Sequence, residues 1–171
     1  MFRSNLIGLF CVLFSTGLLA ENLDLSAGAM TLGGSALVKY SNQEDNWRVA
    51  VAANGGYFMM KDLALVLDIQ ASGKLSSGFD QQRLYQMAVG VFYALDLDSN
   101  LYPYGQILGH TAYSESGWSV GFTPAMGLLV GLTSQIALDF GVSTRVDFAI
   151  SRAGGTHVDV GMGYVGVRAF F

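Results

Sequence analysis

Bulky apolar side chains alternate with small or polar ones along most of the chain after residue 20. In the run that starts at Ile136 the even positions are bulky and the odd positions are small or charged: Ile136, Leu138, Phe140 and Val142 against Ala137, Asp139, Gly141 and Ser143. A second run of the same kind starts at Trp118. A period of two is typical of extended strands, whose successive side chains point to opposite faces. The pattern therefore predicts an all-β chain.

Turn-forming and polar residues divide this pattern into eight strands. Three connections are tight, and four are polar and longer, which is the alternation of turns in an up-and-down sheet. We find no linker, internal repeat or second domain in the sequence. The predicted strands cover about 27–40, 47–60, 63–75, 83–95, 101–113, 118–132, 135–150 and 157–171.

Two closed sheets fit this pattern: a soluble barrel that is apolar inside, and a transmembrane barrel that is apolar outside. The less apolar face of the run at 118–132 contains no charge, so it would be poorly solvated in water: Ser119, Gly121, Thr123, Ala125 and Gly127. Small residues fit the narrow lumen of an eight-stranded barrel. The bulky face would then meet lipid, and strands of this length can cross the hydrocarbon. We predict an eight-stranded antiparallel transmembrane β-barrel.

Composition agrees with a membrane environment and argues against several other classes. The chain is 51% hydrophobic and 13% charged, with a mean hydropathy of +0.40. A formal charge of −4 with nine Lys plus Arg argues against a nucleic-acid partner. Two histidines and one cysteine predict no metal site. The G-x-G-x-x-G match at 161–166 lies in an extended pattern and does not open a helix, so we expect no cofactor.

The first twenty residues differ from the rest and predict a secretory signal peptide. Arg3 precedes an apolar run from Leu6 to Leu19, and Ala20 precedes Glu21. The apolar run is shorter than the roughly 20 residues that a spanning helix needs. Cleavage after Ala20 would leave residues 21–171 as the barrel domain. Since Cys11 is the single cysteine of the chain, the mature protein would contain none.

Four stretches resemble the outer-membrane β-barrel domain family of OmpA/OmpX-type small barrels. They are Thr-Leu-Gly-Gly-Ser at 31–35, Gly-Tyr-Phe-Met-Met-Lys-Asp-Leu-Ala-Leu at 56–65, Leu-Tyr-Pro-Tyr at 101–104 and Val-Gly-Val-Arg-Ala-Phe-Phe at 165–171. The resemblance implies a location in the outer membrane of a Gram-negative bacterium and insertion by the barrel-assembly machinery. It also implies that Phe171, with Val167 and Ala169 above it, forms the signal that this machinery reads. It implies no single biochemical activity.

The lumen of such a barrel is filled by side chains, and charges that are removed from water inside it need partners. The predicted lumen charges are Asp68, Asp139, Arg145, Asp147 and Arg168, and the predicted inward set also includes Arg48, Asn54, Gln70 and Phe92. We expect each of the aspartates to lie near an arginine. This filling predicts a plugged barrel and not a general porin.

Three places depart from simple alternation. Pro124 lies within a strand, so we expect a bulge or a missing hydrogen bond there. In the last strand Val158 and Val160 have the opposite parity to Val165 and Val167, so either a bulge near Gly163 to Gly166 resets the phase or the upper lumen is apolar. The strand at 101–113 gives no face assignment by either parity.

The function that we expect is a structural, membrane-integrity role without catalysis, and no catalytic residues are assigned. One alternative is a lipid-A-modifying enzyme, a deacylase or an acyltransferase, for which His110 with Ser114, Glu115 or Ser116 supplies the residue types. The other alternative is a small adhesin or host-interaction barrel, against which the short predicted loops argue. The expected partners are outer-membrane lipid with lipopolysaccharide and the assembly machinery, and we expect a monomer.

Overall fold

The computed structural model describes residues 22–41, 46–74, 84–97, 99–114, 117–149, 156–160 and 163–171. The predicted signal peptide, with its cleavage site after Ala20, lies outside these ranges. The strands are β1 (Met30–Ser41), β2 (Asn46–Met60), β3 (Leu63–Lys74), β4 (Leu84–Ala94), β5 (Leu101–Ser114), β6 (Gly117–Gly131) and β7 (Ile136–Ala149), and the last strand has two segments, β8 (Thr156–Val160) and β9 (Tyr164–Phe170). No helix in the described ranges is long and apolar enough to cross a membrane.

All neighbouring strands are antiparallel, and the sheet closes on itself. Each strand from β1 to β7 pairs with the next one in sequence, β7 pairs with both segments of the last strand, and Thr31 of β1 lies opposite Phe170 of β9. The predicted eight-stranded antiparallel barrel is confirmed, and each predicted strand boundary lies within three residues of the observed one. The end that contains the connections at 61–62, 95–100 and 132–135 is called the turn end here, and the opposite end is the loop end.

The phase change in the last strand coincides with a register shift against β7. Val160 lies opposite Thr144 and Tyr164 lies opposite Gly141, so the register of the last strand against β7 shifts by one residue between these two pairs. Gly163 has a φ of 131°, which is strained for any residue with a side chain. The extra residue moves Val158 and Val165 to the same, outer side. This bulge is one of the two explanations that the sequence left open.

The ladder between β6 and β7 is interrupted at Pro124. Phe122 lies opposite Val146 and Ala125 lies opposite Ser143, but the two positions between them, Thr123 and Pro124, have no partner in β7. The register on either side of the gap is the same, so the strand contains no bulge there. Because proline has no N–H, it removes ladder bonds without shifting the strand.

The bulky face of β6 and of β7 points outward, as the sequence predicts. Met126 and Val142 expose 66% and 48% of their surface, while their neighbours Ala125 and Ser143 face inward. Exposed aromatic side chains lie near both barrel ends, with Tyr57, Tyr93 and Phe171 at the turn end and Tyr85, Tyr113, Trp118 and Phe148 at the loop end. Aromatic girdles around an apolar band are typical of barrels that cross a bilayer.

The lumen at the turn end is filled by five side chains with no exposed surface, which we call the aromatic floor: Phe58, Phe92, Tyr102, Leu129 and Phe170. The Phe58 ring lies edge-on to Phe92 with centroids 6.4 Å apart, and its centroid lies 6.3 Å from that of Phe170. Such contacts add to the stabilisation from apolar burial. The floor separates the rest of the lumen from the turn end.

The segment that precedes β1 covers this floor from below. Leu23 and Leu25 are buried in the same apolar cluster as the floor residues. The Leu23 N–H donates to the Tyr102 hydroxyl at 2.9 Å, and the Leu25 carbonyl accepts from the Asp62 N–H at 2.9 Å. The chain therefore enters the barrel from beneath the lumen.

The outward face predicts a depth-dependent cost for an introduced charge. Val142→Arg places a guanidinium at the middle of β7 on the lipid side and should lower the free energy of unfolding by roughly 2–4 kcal/mol, whereas Ile136→Arg on the same face near the strand end should cost about 0–1 kcal/mol. Equilibrium urea unfolding in phospholipid vesicles measures both values. Equal costs at the two positions would contradict a lipid-facing β7.

Candidate functional site

The polar side chains of the lumen form two clusters of hydrogen bonds. The first, the Asp139 network, lies just above the aromatic floor and contains Tyr104, Asp139, Tyr164 and Arg168. Arg168 Nη2 donates to Asp139 Oδ2 at 2.8 Å, and the Tyr104 hydroxyl donates to Asp139 Oδ1 at 2.5 Å. The Tyr104 and Tyr164 hydroxyls are also hydrogen-bonded to each other. Asp139 therefore has a charged and a neutral donor, which is the condition for burying a carboxylate.

Aromatic rings hold the other side of the Arg168 guanidinium. Its Cζ lies 4.7 Å from the centroid of the Phe92 ring and 5.8 Å from that of Tyr104. A cation over the face of an aromatic ring is attracted by the ring quadrupole, most strongly when water is excluded. Arg168 thus connects the ion pair with Asp139 to the aromatic floor.

The second cluster, the Asp147 network, lies nearer the loop end and contains His110, Ser119, Thr123, Arg145 and Asp147. Arg145 Nη2 donates to Asp147 Oδ1 at 2.6 Å, and Arg145 Nε lies 2.6 Å from Asp147 Oδ2. His110 Nε2 lies 2.9 Å from Asp147 Oδ1, and the Ser119 hydroxyl donates to that oxygen at 3.1 Å. On the other side of the ring, His110 Nδ1 is 3.0 Å from Thr123 Oγ1. Both imidazole nitrogens are therefore occupied.

Glycines on the neighbouring strands make room for the large lumen side chains. Tyr104 lies opposite Gly127, His110 opposite Gly121 and Tyr164 opposite Gly141. A Cβ at Gly127 would come within 2.6 Å of the Tyr104 hydroxyl, and one at Gly121 within 2.9 Å of His110 Nε2. A side chain at either position would displace the ring beside it.

The structure places the residues that were predicted as lumen charges as follows. Asp139 pairs with Arg168, and Arg145 pairs with Asp147. Asp68 lines a cavity together with Asn54 and Gln70, and Phe92 belongs to the floor. The side chain of Arg48 lies outside the described part of the structure. The residues that were predicted to form an assembly signal, Val167, Ala169 and Phe171, lie at the turn end, with Val167 and Phe171 exposed on the outer face.

The sequence did not identify Tyr104, His110 and Tyr164 as lumen residues. The even positions of β5 point inward and carry bulky groups, Tyr102, Tyr104, Leu108 and His110, so the larger face of this strand is the inner one. The alternation of side chains alone does not show which face of such a strand is the inner one. The available signal is the glycine that lies opposite Tyr104 and His110 on β6 and opposite Tyr164 on β7.

The two residues of the enzyme alternative that the structure describes, His110 and Ser114, do not come together. The His110 side chain is fully buried in the lumen, while the Ser114 hydroxyl donates to the Gly117 carbonyl at 3.4 Å at the loop end. Glu115 and Ser116 lie outside the described residues. Within the described ranges, no three His, Cys, Asp or Glu side chains form a group that could hold a metal ion.

The Asp139–Arg168 pair gives a testable stability difference. Arg168→Met leaves Asp139 without its charged partner and should lower the free energy of unfolding by roughly 3–5 kcal/mol. Lys61→Met is the control, because Lys61 forms an exposed pair with Asp96 at 3.3 Å and should cost less than about 1 kcal/mol. Urea unfolding measures both, and the double variant Arg168→Met, Asp139→Leu should recover part of the loss. An Arg168→Met cost as small as that of Lys61→Met would contradict the role of the pair.

No protein-family model and no curated protein matches the sequence. Solved structures do match the fold. Neisserial surface protein A (NspA) is 20% identical with a TM-score of 0.62, over 85% of this chain and 98% of that one. Two proteins of Pseudomonas aeruginosa are each 12% identical to this chain. The N-terminal β-barrel domain of OprF has a TM-score of 0.59, over 85% of this chain and 98% of that one. OprG has a TM-score of 0.58, over 88% of this chain and 99% of that one. The chain has the fold of the small eight-stranded outer-membrane β-barrels.

Proposed function

We propose that the protein is an integral barrel of the Gram-negative outer membrane that contributes to membrane integrity, without catalytic activity and without a large pore. The observation that carries this proposal is the aromatic floor, whose five side chains have no exposed surface. An eight-stranded barrel has a lumen only wide enough for side chains. A lumen filled in this way leaves the lipid-facing surface as the main surface through which the protein acts.

The outer surface supports a role within the bilayer. The apolar band between two aromatic girdles would be covered by acyl chains, with outer-membrane lipid and lipopolysaccharide as the partners. In barrels of this kind the short turns face the periplasm and the longer loops face outward. On that orientation the segment before β1 begins on the periplasmic side, which agrees with export through a signal peptide that is cleaved after Ala20. We propose a monomer.

The two other functional classes have less support. The engagement of His110 by Asp147 and Thr123 inside the lumen argues against a lipid-A-modifying enzyme, since a catalytic base needs access to its substrate. Host binding would depend on the four connections of the loop end, and residues 42–45, 75–83, 115–116 and 150–155 in these connections lie outside the described residues. The similarity to NspA, which is described as a surface protein, is a similarity of fold.

A deletion strain tests the integrity proposal directly. Loss of the protein should increase the uptake of a hydrophobic fluorescent dye by intact cells, because a lipid-covered barrel would no longer support the packing of the outer leaflet. A plasmid that carries the wild-type chain should restore the barrier. A strain that carries Val142→Arg, whose barrel should be less stable, is the matched control and should restore the barrier less.

The same strain separates this proposal from a porin function. Purified protein in planar bilayers should show no steady, large single-channel conductance, and the deletion should leave the uptake of small sugars unchanged. Unchanged dye uptake together with slower sugar uptake would overturn the proposal in favour of transport.

The chain end supports a second element of the proposal, recognition by the barrel-assembly machinery. Phe171 is exposed at the turn end, and its N–H donates to the Met30 carbonyl at 2.9 Å while its own carbonyl accepts from the Met30 N–H at 3.0 Å. The backbone of Phe171 therefore closes the barrel, while its side chain is free on the outer rim. With Val167 and Ala169 above it, this side chain would form the assembly signal.

Replacing this side chain separates recognition from stability. Phe171→Ala keeps the backbone bonds to Met30, so it should reduce the amount of heat-modifiable, membrane-inserted protein in cells more than it reduces the stability of protein refolded in detergent. Tyr57→Ala is the control, because Tyr57 lies opposite Met30 on the same rim and is outside the proposed signal. Phe171→Ala with normal insertion in cells would exclude the signal role.

A further inference from the structure

The segment that precedes β1 crosses the turn end of the barrel. Leu23 and Leu25 are 6% and 4% exposed and pack in the same apolar cluster as the aromatic floor. Leu23 lies beside the end of β6, because a Cβ on Gly131 would come within 3.6 Å of its Cγ. Its N–H reaches the hydroxyl of Tyr102 on β5, four strands away from β1. Residues 22–27, which we call the latch, therefore extend from the β1 wall toward the opposite wall.

A turn with a glycine separates the latch from the first strand. Gly28 has a φ of 95°, and a Cβ at this position would meet no atom within 4 Å. The Ala29 N–H donates to the Ser26 carbonyl at 3.2 Å and closes the turn. A positive φ is readily adopted by glycine and rarely by other residues. A turn with open space around its glycine can change its dihedral angles without displacing a packed side chain, so it can serve as a hinge.

The bonds that hold the latch are separate from the ladders that close the barrel. The Leu23 N–H donates to the Tyr102 hydroxyl at 2.9 Å, and the Asp62 N–H donates to the Leu25 carbonyl at 2.9 Å. Barrel closure begins after the hinge turn, with the mutual bonds of Met30 and the last residue of the chain. The latch can therefore lose its own bonds while the ladders persist. Segments of this kind open locally at a lower free energy than the whole structure.

We propose that residues 22–27 form a hinged latch that covers the aromatic floor and can leave it while the barrel stays closed. In the closed state Leu23 and Leu25 shield the floor, and in the open state the underside of the floor meets water. Because the open state exposes apolar surface, the closed state predominates. On the orientation proposed above, the latch operates from the periplasmic side. The latch does not depend on the integrity role, which the deletion strain tests separately.

Single cysteines measure the opening of the latch. Cys11 is the only cysteine of the chain, so a Cys11→Ala background makes each introduced cysteine unique. Leu25→Cys reports on the latch, Ala27→Cys on an exposed position, and Val66→Cys, at a β3 position that is 2% exposed, on the barrel itself. Labelling by a bulky, water-soluble maleimide is followed in detergent. Leu25→Cys should react at least tenfold more slowly than Ala27→Cys and at least tenfold faster than Val66→Cys, because only Val66→Cys requires the barrel to open.

Removing one hydroxyl should loosen the latch without loosening the barrel. Tyr102→Phe keeps the ring in the floor and removes the acceptor of the Leu23 N–H. It should speed the labelling of Leu25→Cys several-fold and leave that of Val66→Cys unchanged. Tyr93→Phe is the matched control, because Tyr93 is an exposed tyrosine of the turn end, and it should change neither rate.

A change in the hinge turn provides a second variant. Gly28→Ala strains the positive φ of the closed latch and should also speed the labelling of Leu25→Cys alone. Equal rates for Leu25→Cys and Val66→Cys would overturn the proposal, because the segment would then leave only when the barrel opens. Equal rates for Leu25→Cys and Ala27→Cys would overturn it as well, because the segment would not be docked. A Tyr102→Phe protein in which both buried cysteines react faster to the same extent would have the same consequence.

Discussion

The need to hydrogen-bond every backbone N–H and C=O within hydrocarbon is the constraint on which the rest of this structure depends. No water is present there to satisfy an unpaired group, so a sheet that crosses a bilayer must close. Closure requires the last strand to meet the first, and here it does so through β9 against β1, ending with the mutual bonds of Met30 and Phe171. The bulge before Tyr164 is part of that solution, because it lets one strand pair with β7 and β1 while its outward residues stay apolar.

Closure with eight strands fixes the width of the lumen. This width limits how many large side chains can lie at the same height along the barrel axis. A tyrosine or histidine that points inward occupies the space of its neighbour, so the opposite position is a glycine in three cases: Gly127 beside Tyr104, Gly121 beside His110 and Gly141 beside Tyr164. The many glycines of the sequence therefore serve packing as well as turns. The charges obey the same limit, because each buried carboxylate must find its donors within one or two strands.

The fold could be predicted from the sequence because the alternation of bulky and small side chains is a property of each strand by itself. In β6 and β7 one face is consistently bulky, so the lipid side could be assigned before any pairing was known. In β5 the inner face carries Tyr104 and His110, and its identity follows only from the register with β6. The pairing of Asp139 with Arg168 depends further on the bulge in the last strand, since a slip of one residue would turn Arg168 toward lipid. Contacts between distant strands thus require the register, which periodicity does not supply.

The two ends of the lumen differ in a way that follows from their chemistry. The turn end is closed by rings and by Leu23 and Leu25, which need no partners and exclude water. The middle and the loop half contain amides, hydroxyls and ion pairs, which are stable in a bilayer only when each polar atom is satisfied. A water-free apolar plug and a hydrogen-bonded polar interior require different residues. In this short barrel the two regions lie one after the other along the barrel axis. On the proposed function, passage through the lumen would be blocked at the floor, because the side chains there have no exposed surface.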